Sequence, residues 1–342
     1  MKIPSLDLEW SVSAERPTNW DELVRDLGGG FFHTAGGLAA SGVIGEPFFA
    51  RLRQGSDLAG ISAGVRSPCR VTPRPEHVYL PTVPAIPERS VRHAALDGLV
   101  RAMASDEAVA LTLDSYDAGW QVTRPSVTPV EIAVRQEYIV PLAQPSERMT
   151  EHLSAGHRRH VRRGDREGWK VQMVSSKDGQ ALLAEVQRLA AGRAASRGDA
   201  FRAAPEPYGG EGLDPASTAE GSVTFIARHG TTALAAALVG WAVGRGYYVM
   251  GGSTPEGYRA AASIWLHWRI MCRLADLGFI SYNLGGSSAT AASPEDPSHG
   301  LYRFKLGFGS SIVPCCSARW DLSPSHQRLH RLGGWLGSAF GL

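Results

Sequence analysis

The C-terminal half of the chain alternates strand-like and helix-like segments separated by glycines, and this alternation restricts the fold more than any other feature. Residues 246–254 (GYYVMGGST) predict a strand that ends in a Gly-Gly turn. Apolar residues then recur at helical spacing over residues 258–277, and Gly278 supplies the stop. A second short strand, FISYNLGG, closes in a glycine loop. This order indicates a compact α/β layout with a cleft where the glycine-rich ends meet.

Residues 300–309 (GLYRFKLGFG) are predicted to be the next strand of this layout. Strand side chains alternate between faces, so Phe304 and its apolar neighbours point one way, whereas Arg303 and Lys305 point the other. The two cations would stand about 7 Å apart. They are either a functional pair or charges that protect an edge strand from aggregation.

The length of 342 residues exceeds one ordinary hydrophobic core and suits two domains of about 150 residues each. Hydrophobic residues make up 43% and charged residues 20%, which is typical of a soluble globular protein. The sequence has no run of about 18 apolar residues, and its first ten residues are polar and acidic where a signal peptide would be apolar. We therefore expect a cytoplasmic protein.

The cysteines and histidines do not predict a metal site. The four cysteines lack CxxC spacing, and the adjacent Cys315 and Cys316 have poor geometry for a mutual disulfide, so reduced structural thiols are expected. His326 and His330 stand at i and i+4, but Gln327 occupies the position of the glutamate in a metalloprotease HExxH motif.

Residues 156–171 (GHRRHVRRGDREGWKV) predict a strongly basic helix. Its arginines form two rows, one of Arg158 and Arg162 and the other of Arg159, Arg163 and Arg166. Such a run is either a solvated face or a docking surface for a polyanion, because aligned cations gain affinity by releasing counterions from phosphates. The net charge of +2 argues against a general nucleic-acid binder, but a local patch does not need a basic average.

Four motifs in this order resemble the Fem family of aminoacyl-tRNA-dependent transferases, which add amino acids to amines. They are the basic helix, the YYVMGGST strand, the LGG loop at residues 284–286 and LYRFKLGFG. Together they span about residues 138–310. The first third matches more loosely, through a Trp/Leu helix at residues 20–27, the FFHT run and a strand that ends in Asp114.

The resemblance implies an α/β (α+β) fold of two tandem acetyltransferase-like (GNAT) domains, each a mixed twisted sheet flanked by helices. The first domain would comprise residues 1–145 on the acceptor side, completed by a C-terminal tail of residues 318–342. The second, residues 146–317, would carry Lys305 and the basic helix. Prolines near VPLAQPSER mark the boundary, where Ser146 can cap the next helix.

The resemblance also implies roles for individual residues. Lys305 would stabilise the developing oxyanion or the leaving ribose oxygen, and Asp114 would lie near the attacking amine. The alternative for Asp114 is a turn or cap residue. The expected substrate-binding residues are Arg303, Phe304, Tyr248, Tyr258 and Arg202, although either tyrosine could instead be structural. The tRNA-binding residues would be Arg158, Arg159, Arg162, Arg163 and Arg166. Aminoacyl-tRNA would be the co-substrate, with no other cofactor and no metal.

The segment FFHTAGGLAASGVIGEP contains no lysine or arginine, which disfavours an acceptor that carries a pyrophosphate. A small uncharged amine, such as a natural-product intermediate in antibiotic biosynthesis, is therefore the preferred acceptor. A peptidoglycan-precursor aminoacyltransferase stays an alternative. Another is an acyl-CoA-dependent N-acyltransferase of the same fold, although its [RQ]xxGx[GA] phosphate loop is not found. A third is a Fem-like protein without activity that binds RNA or a partner through the basic helix.

Overall fold

The computed structural model describes residues 7–41, 43–68, 76–105, 108–117, 127–142, 146–174, 181, 183–186, 188 and 220–323. The chain divides into two compact units, which are described separately. Unit 1 consists of Met1–Gly29, Val43–Val134 and Cys315–Leu342, and unit 2 of Gly30–Gly42 and Arg135–Pro314. Both combine a sheet with packed helices, so the mixed α/β fold expected from the sequence is confirmed.

The strands in chain order are β1 (Leu8–Ser13), β2 (Glu46–Gln54), β3 (Asp57–Pro68), β4 (Glu76–Leu80), β5 (Ala108–Asp114), β6 (Glu131–Pro141), β7 (Lys170–Val174), β8 (Glu220–His229), β9 (Thr232–Ala242), β10 (Arg245–Ser253), β11 (Ser281–Ser288) and β12 (Ser311–Asp321). The α-helices are α1 (Trp20–Asp26), α2 (Ala35–Ala40), α3 (Arg92–Ser105), α4 (Ser146–His152), α5 (Ala155–Arg166), α6 (Pro255–Ala260), α7 (Ala262–Asp276) and α8 (His299–Leu306). Short 3-10 helices occupy Phe31–His33 and Arg89–Val91.

The sheet of unit 1 has the strand order β1-β2-β3-β4-β5-β12. Strands β1 to β4 pair antiparallel in sequence, β4 pairs parallel with β5, and β5 pairs antiparallel with β12. Helix α3 connects β4 to β5 and buries an apolar stripe that includes Leu96, Leu99 and Met103. Parallel neighbours require such a crossover, which explains why a helix lies between them in the chain.

The sheet of unit 2 has the strand order β7-β8-β9-β10-β11-β6. Strands β7 to β10 pair antiparallel, β10 pairs parallel with β11, and β11 pairs antiparallel with β6. Helices α6 and α7 form the crossover between the parallel strands. Helix α7 packs Trp265, Leu266, Ile270, Met271 and Leu274 into the core of this unit.

The two units therefore repeat one order of elements. Each has four antiparallel strands, a helical crossover, a fifth strand parallel to the fourth and a sixth strand antiparallel to the fifth. The sixth strand does not follow the fifth of its own unit in the chain: β12 completes unit 1 and β6 completes unit 2. No repeat is visible in the amino-acid sequence, so the strand order alone reveals it.

Part of the FFHT run packs within unit 2. The ring of Phe31 stacks on Tyr247 with 5.5 Å between centroids. A Cβ atom at Gly240 would overlap the Phe31 ring, so a glycine is required there.

The predicted strand at residues 300–309 is wrong, because this segment forms helix α8. The side chain of Asp296 accepts a 2.7 Å hydrogen bond from the backbone N–H of Ser298 just before the helix, and Gly309 follows it in a left-handed conformation with φ of 76°. The predicted pairing of two cations on one strand face is also wrong: Lys305 is 3% exposed, whereas Arg303 is exposed to solvent.

Four other details differ from the prediction. The Gly-Gly pair of the first strand lies inside β10, and the LGG segment lies inside β11, not in a loop. The helix predicted for residues 258–277 is divided into α6 and α7 by Ala261, which has φ of 58°. The basic helix ends at Arg166, and Lys170 begins β7.

Other predicted elements are confirmed. They are the Trp/Leu helix (α1) and the strand that ends in Asp114 (β5). Arg202, Cys69, His326, His330 and residues 324–342 of the predicted C-terminal tail lie outside the described residues. Within the described ranges, no helix is both long enough and apolar enough to cross a membrane.

Candidate active site in unit 2

The parallel strands of unit 2 pair only along a short stretch. Direct partners run from Arg245 and Ser281 to Tyr247 and Asn283. Past this point β10 shifts register against β9 between Tyr248 and Met250, and β11 shifts against β6 between Asn283 and Gly286. Such bulges bend a strand and disrupt its ladder. The pairing between β10 and β11 therefore stops where both strands become irregular.

A cavity of about 670 Å³ lies along β10 beyond this point. Its larger side chains are Tyr248, Tyr258, Leu266, His267, Leu301 and Phe304, and its smaller polar side chains are Ser253, Ser263, Ser288, Asp296 and Ser298. Gly251 and Gly252 of β10 expose backbone to it. Among the described residues, no lysine or arginine lines the cavity. An apolar wall with a few polar groups is typical of a small-molecule site.

Three of the predicted substrate-binding residues, Tyr248, Tyr258 and Phe304, meet in this wall. Tyr248 is half-buried, and its burial raises its pKa to about 12, so it is a neutral phenol at physiological pH. Tyr258 belongs to α6 and is exposed. Arg303 lies on α8, is exposed to solvent and does not line the cavity.

Lys305 lies behind the cavity wall and does not line it. Its Nζ donates a 2.7 Å hydrogen bond to the carbonyl oxygen of Gly286 in the β11 bulge, and it stands 5.3 Å from the centroid of the Tyr138 ring. At the same bulge, Gly285 has φ of 73° and its N–H donates to Asn283 Oδ1 at 2.7 Å. The buried ammonium and the amide oxygen of Asn283 thus both bond backbone groups at the irregular part of β11.

His267 is a wall residue that the sequence analysis missed. It lies in the middle of α7, is 2% exposed, and its Nδ1 is 3.0 Å from the hydroxyl of Tyr282. Burial lowers the pKa of His267 to about 3, and the positive charge of Lys305 acts in the same direction. Its imidazole is therefore neutral at pH 7. The sequence did contain a signal for this residue, because a histidine stands on the apolar stripe of the helix that contains Ile264 and Met271.

Among the described residues, Asp296 is the one that supplies a carboxylate to the cavity wall. Its Oδ2 accepts hydrogen bonds from Thr290 Oγ1 at 2.6 Å and Ser288 Oγ at 3.0 Å, and its Oδ1 accepts from Ser298. The bonds from Ser298 and Thr290 hold the pKa of Asp296 well below its usual range. The group is therefore a fixed negative charge at neutral pH.

Helix α5 is tied to α8 through His157. The Nε2–H of His157 donates to the carbonyl oxygen of Phe304 at 2.9 Å, and its ring packs edge-on against Phe308 with 4.6 Å between centroids. A Cβ atom at Gly307 would overlap the imidazole. Burial lowers the pKa of His157, so this contact is made by a neutral ring.

The exposed face of α5 carries a row of arginines, Arg159, Arg162 and Arg166. The other two predicted tRNA-binding residues have partners within the chain: Arg163 Nε donates to Glu167 at 2.6 Å, and Arg158 donates to the carbonyl oxygen of Leu153. All five line a surface depression of about 820 Å³ together with Ala155 and His160.

Asp165, the acidic residue next to Arg166 on α5, is bonded to α7 and does not line the depression. Asp165 accepts a 2.7 Å hydrogen bond from Trp265 Nε1 and pairs with Arg269, both on α7. Gly164 lets the two helices approach, because a Cβ atom there would overlap Trp265. The exposed arginine row therefore keeps its positive charge.

Asp114 lies in unit 1, at the carboxyl end of β5. It is 8% exposed and accepts a 2.9 Å hydrogen bond from the Tyr79 hydroxyl and another from Ser317. It does not line the cavity of unit 2. Among the described residues, no group of three or more His, Cys, Asp or Glu is arranged to hold a metal ion.

Comparison with known proteins identifies the fold. Residues 153–305 match the acetyltransferase (GNAT) domain family. The crystal structure of FemX superposes with a TM-score of 0.63 and 12% identity, over 90% of this chain and 96% of that chain. A conserved protein of unknown function from Bacteroides thetaiotaomicron VPI-5482 superposes with a TM-score of 0.53 and 10% identity, over 90% and 99%. No curated protein matches the chain.

Proposed function

We propose that this protein, which has a Fem-like GNAT fold, is an aminoacyltransferase that moves an amino acid from a charged tRNA to the amine of a small molecule. The observation that carries the proposal is the cavity beside the opened β10 and β11 strands, lined by aromatic rings, a neutral imidazole and a carboxylate. Such a cavity suits an acyl group with an ammonium substituent and has no basic residue for a phosphate among the described lining.

The charges around the cavity suit an aminoacyl ester. Its α-ammonium is positive, which favours a place near Asp296 and the faces of Tyr248 and Tyr258. Its carbonyl oxygen becomes negative during attack. The buried Lys305 is a cation close enough to the cavity wall to lower the pKa of His267. We therefore keep Lys305 as the electrostatic contributor to catalysis.

The start of α6 argues against a CoA donor. Acyl-CoA enzymes of this fold bind the pyrophosphate with free backbone N–H groups at the helix that follows the long strand. Here α6 is six residues long and begins with Pro255, which has no N–H. The N–H of Gly257 is already bonded to Thr254 Oγ1 at 3.1 Å. CoA-dependent N-acyl transfer is therefore the second candidate.

The arginine row of α5 supports a nucleic-acid donor. Arg159, Arg162 and Arg166 are exposed on one helix face, and the neighbouring acid, Asp165, is bonded to α7. Each phosphate that such a row neutralises contributes about 0.7 to 0.9 to the slope of log affinity against log salt. The link from α5 to α8 through His157 and Phe304 relates this surface to the cavity wall.

The acceptor is proposed to be a small amine without a pyrophosphate, such as a natural-product intermediate. The segment of residues 31–47 carries no lysine or arginine that would bind phosphates. Asp114, bonded by Tyr79 and Ser317, is kept as the proposed carboxylate near the attacking amine.

The test is transfer from radiolabelled donors. The purified protein is incubated with a set of aminoacyl-tRNAs, a panel of amines and, separately, acetyl-CoA, each with and without RNase. The proposal predicts transfer from one charged tRNA that RNase abolishes. Transfer from acetyl-CoA that RNase does not affect would contradict it and favour the CoA-dependent candidate.

A further inference from the structure

We propose that His267 donates a hydrogen bond from Nε2–H to the carbonyl oxygen of the acyl group in the cavity, and that Tyr282 holds the imidazole in the tautomer that makes this possible. The inference rests on the proposed function, because it assigns an oxyanion-stabilising donor to that reaction. It makes His267 a catalytic residue and Tyr282 a positioning residue.

The position of the ring supports this role. His267 lines the cavity, and its ring lies edge-on to Tyr248 with 4.6 Å between centroids and 5.6 Å from the Phe304 ring. Its Nδ1 is occupied by the Tyr282 hydroxyl at 3.0 Å. Nε2 is therefore the ring nitrogen left for a group bound in the cavity.

The tautomer follows from the hydrogen-bond inventory of Tyr282. A phenol has one proton to donate, and the Tyr282 side chain is fully buried. Among the described residues, His267 Nδ1 is the acceptor for this proton. Since a buried hydroxyl without an acceptor is unfavourable, Nδ1 is the bare nitrogen and Nε2 carries the hydrogen.

The charge state of both groups agrees with this arrangement. Burial keeps the pKa of Tyr282 well above its ordinary value, so the phenol keeps its proton. Burial likewise lowers the pKa of His267 to about 3, so the ring does not take a second proton near neutral pH. A neutral imidazole with a fixed Nε2–H acts as a hydrogen-bond donor, not as a general base.

The donor acts in one step of the transfer. The lone pair of the neutral acceptor amine forms the new N–C bond to the ester carbonyl carbon, and the π electrons move to the carbonyl oxygen, where Nε2–H stabilises the negative charge. Collapse breaks the ester C–O bond, and the proton lost by the amine ends on the ribose oxygen of the released tRNA. His267 keeps its proton throughout.

The tautomer is measured first, on the whole protein without substrate. Nitrogen-15 labelled histidine distinguishes protonated from bare ring nitrogens, and the H267Q variant assigns the His267 signals. We expect a proton on Nε2 and a bare Nδ1, and in Y282F a mixture of both tautomers. A wild-type protein with the proton on Nδ1 would overturn the proposal.

The role in turnover is tested with two amide variants. The amide nitrogen of glutamine reaches the Nε2 position, whereas that of asparagine reaches only the Nδ1 position. We expect H267N to lower kcat about 100-fold with a nearly unchanged KM, and H267Q to recover most of that loss. Equal kcat values for the two variants would overturn the proposal, and thermal unfolding checks that both fold.

The proposed tRNA donor and the proposed role of His267 can be disproved independently. Should the wild-type protein use acetyl-CoA and no charged tRNA, the proposed donor is wrong, but the tautomer and the contrast between H267Q and H267N are still measured with the thioester. Transfer from tRNA with equal H267N and H267Q rates would leave the proposed function in place and remove His267 from its mechanism.

Discussion

The two parallel strand pairs of the molecule have the same place in the same strand order but differ in length and in where they are irregular. In unit 1, β4 and β5 pair at five positions, with a register shift near the start between Glu76 and His77, and they stay in register up to Leu80 and Leu113. In unit 2, β10 and β11 pair at three positions and then become irregular beside the cavity. In unit 2 the irregular strands therefore lie beside the cavity, at the end of the parallel pair.

Opening a strand pair leaves backbone groups without ladder partners, and unit 2 supplies other partners. Asn283 bonds the N–H of Gly285, and Lys305 bonds the carbonyl of Gly286. Burying a lysine is unfavourable unless it is well hydrogen-bonded. We infer that Lys305 is retained because it bonds the irregular part of β11 and places a positive charge close to the cavity.

The largest effect is expected from Lys305→Met. The change removes the buried positive charge beyond the cavity wall, so we expect kcat to fall about 100-fold while acceptor KM changes little. Steady-state kinetics with the donor identified by the transfer assay measure this. The matched control is Arg273→Met, which removes an exposed cation from α7. Equal rates for the two variants would contradict the role of Lys305.

The second prediction concerns the surface of unit 2. In Arg159→Ala with Arg166→Ala, tRNA use should weaken about tenfold or more, and the slope of log affinity against log salt should drop by about 1.5. The control is Arg89→Ala with Arg101→Ala, which removes two exposed arginines from unit 1. A similar loss in both double variants would mean that total charge, and not the α5 row, attracts the tRNA.

The third prediction concerns Asp114 in unit 1, which has either a role in the reaction or a purely structural role. If Asp114 assists the attacking amine, Asp114→Asn should lower kcat/KM for the acceptor about tenfold, within the lower range of acid-base contributions, and leave donor hydrolysis without acceptor unchanged. Ser317→Ala, which removes only a hydroxyl that bonds Asp114, is the control. Unchanged acceptor kinetics in Asp114→Asn would show that the carboxylate serves the β5 and β12 pairing.

The smallest expected effect is on stability. The folded pKa of His267 is about 3, below its ordinary value of 6.5, so the unfolded chain binds a proton first as the pH falls. The free energy of unfolding should therefore decrease below about pH 6.5, by roughly 1 kcal/mol for this group between pH 7.5 and 5.5. Urea unfolding of wild type and His267→Gln at both pH values measures the difference. Identical pH dependence would contradict a buried neutral His267.

Regular elements were largely predictable from the sequence, and irregular ones were not. The α1 helix and the β5, β10 and β11 strands were predicted from their residue patterns and lie close to the expected positions. Over so short a stretch, the residue pattern of 300–309 fits a strand as well as a helix. Helix α8 is favoured by the bond from Ser298 to Asp296, which lies four residues before the stretch, and by packing against His157.

The site depends on contacts that no local pattern contains. Tyr248, Tyr258 and Phe304 were predicted near the cleft and do line one cavity. Lys305 bonds the β11 bulge, and the neutrality of His267 follows from its burial in the core; both depend on tertiary packing. The repeat of strand order is equally hidden, because the sixth strand of each unit is remote in sequence from its partner.

A crystal structure with an amide-linked analogue of the aminoacyl-adenosine that the transfer assay selects would locate the acyl group directly. We expect the aminoacyl group in the unit 2 cavity, with its carbonyl oxygen within hydrogen-bond distance of His267 Nε2 and its ammonium near Asp296. An analogue bound in unit 1 beside Asp114, with the unit 2 cavity empty, would contradict this expectation.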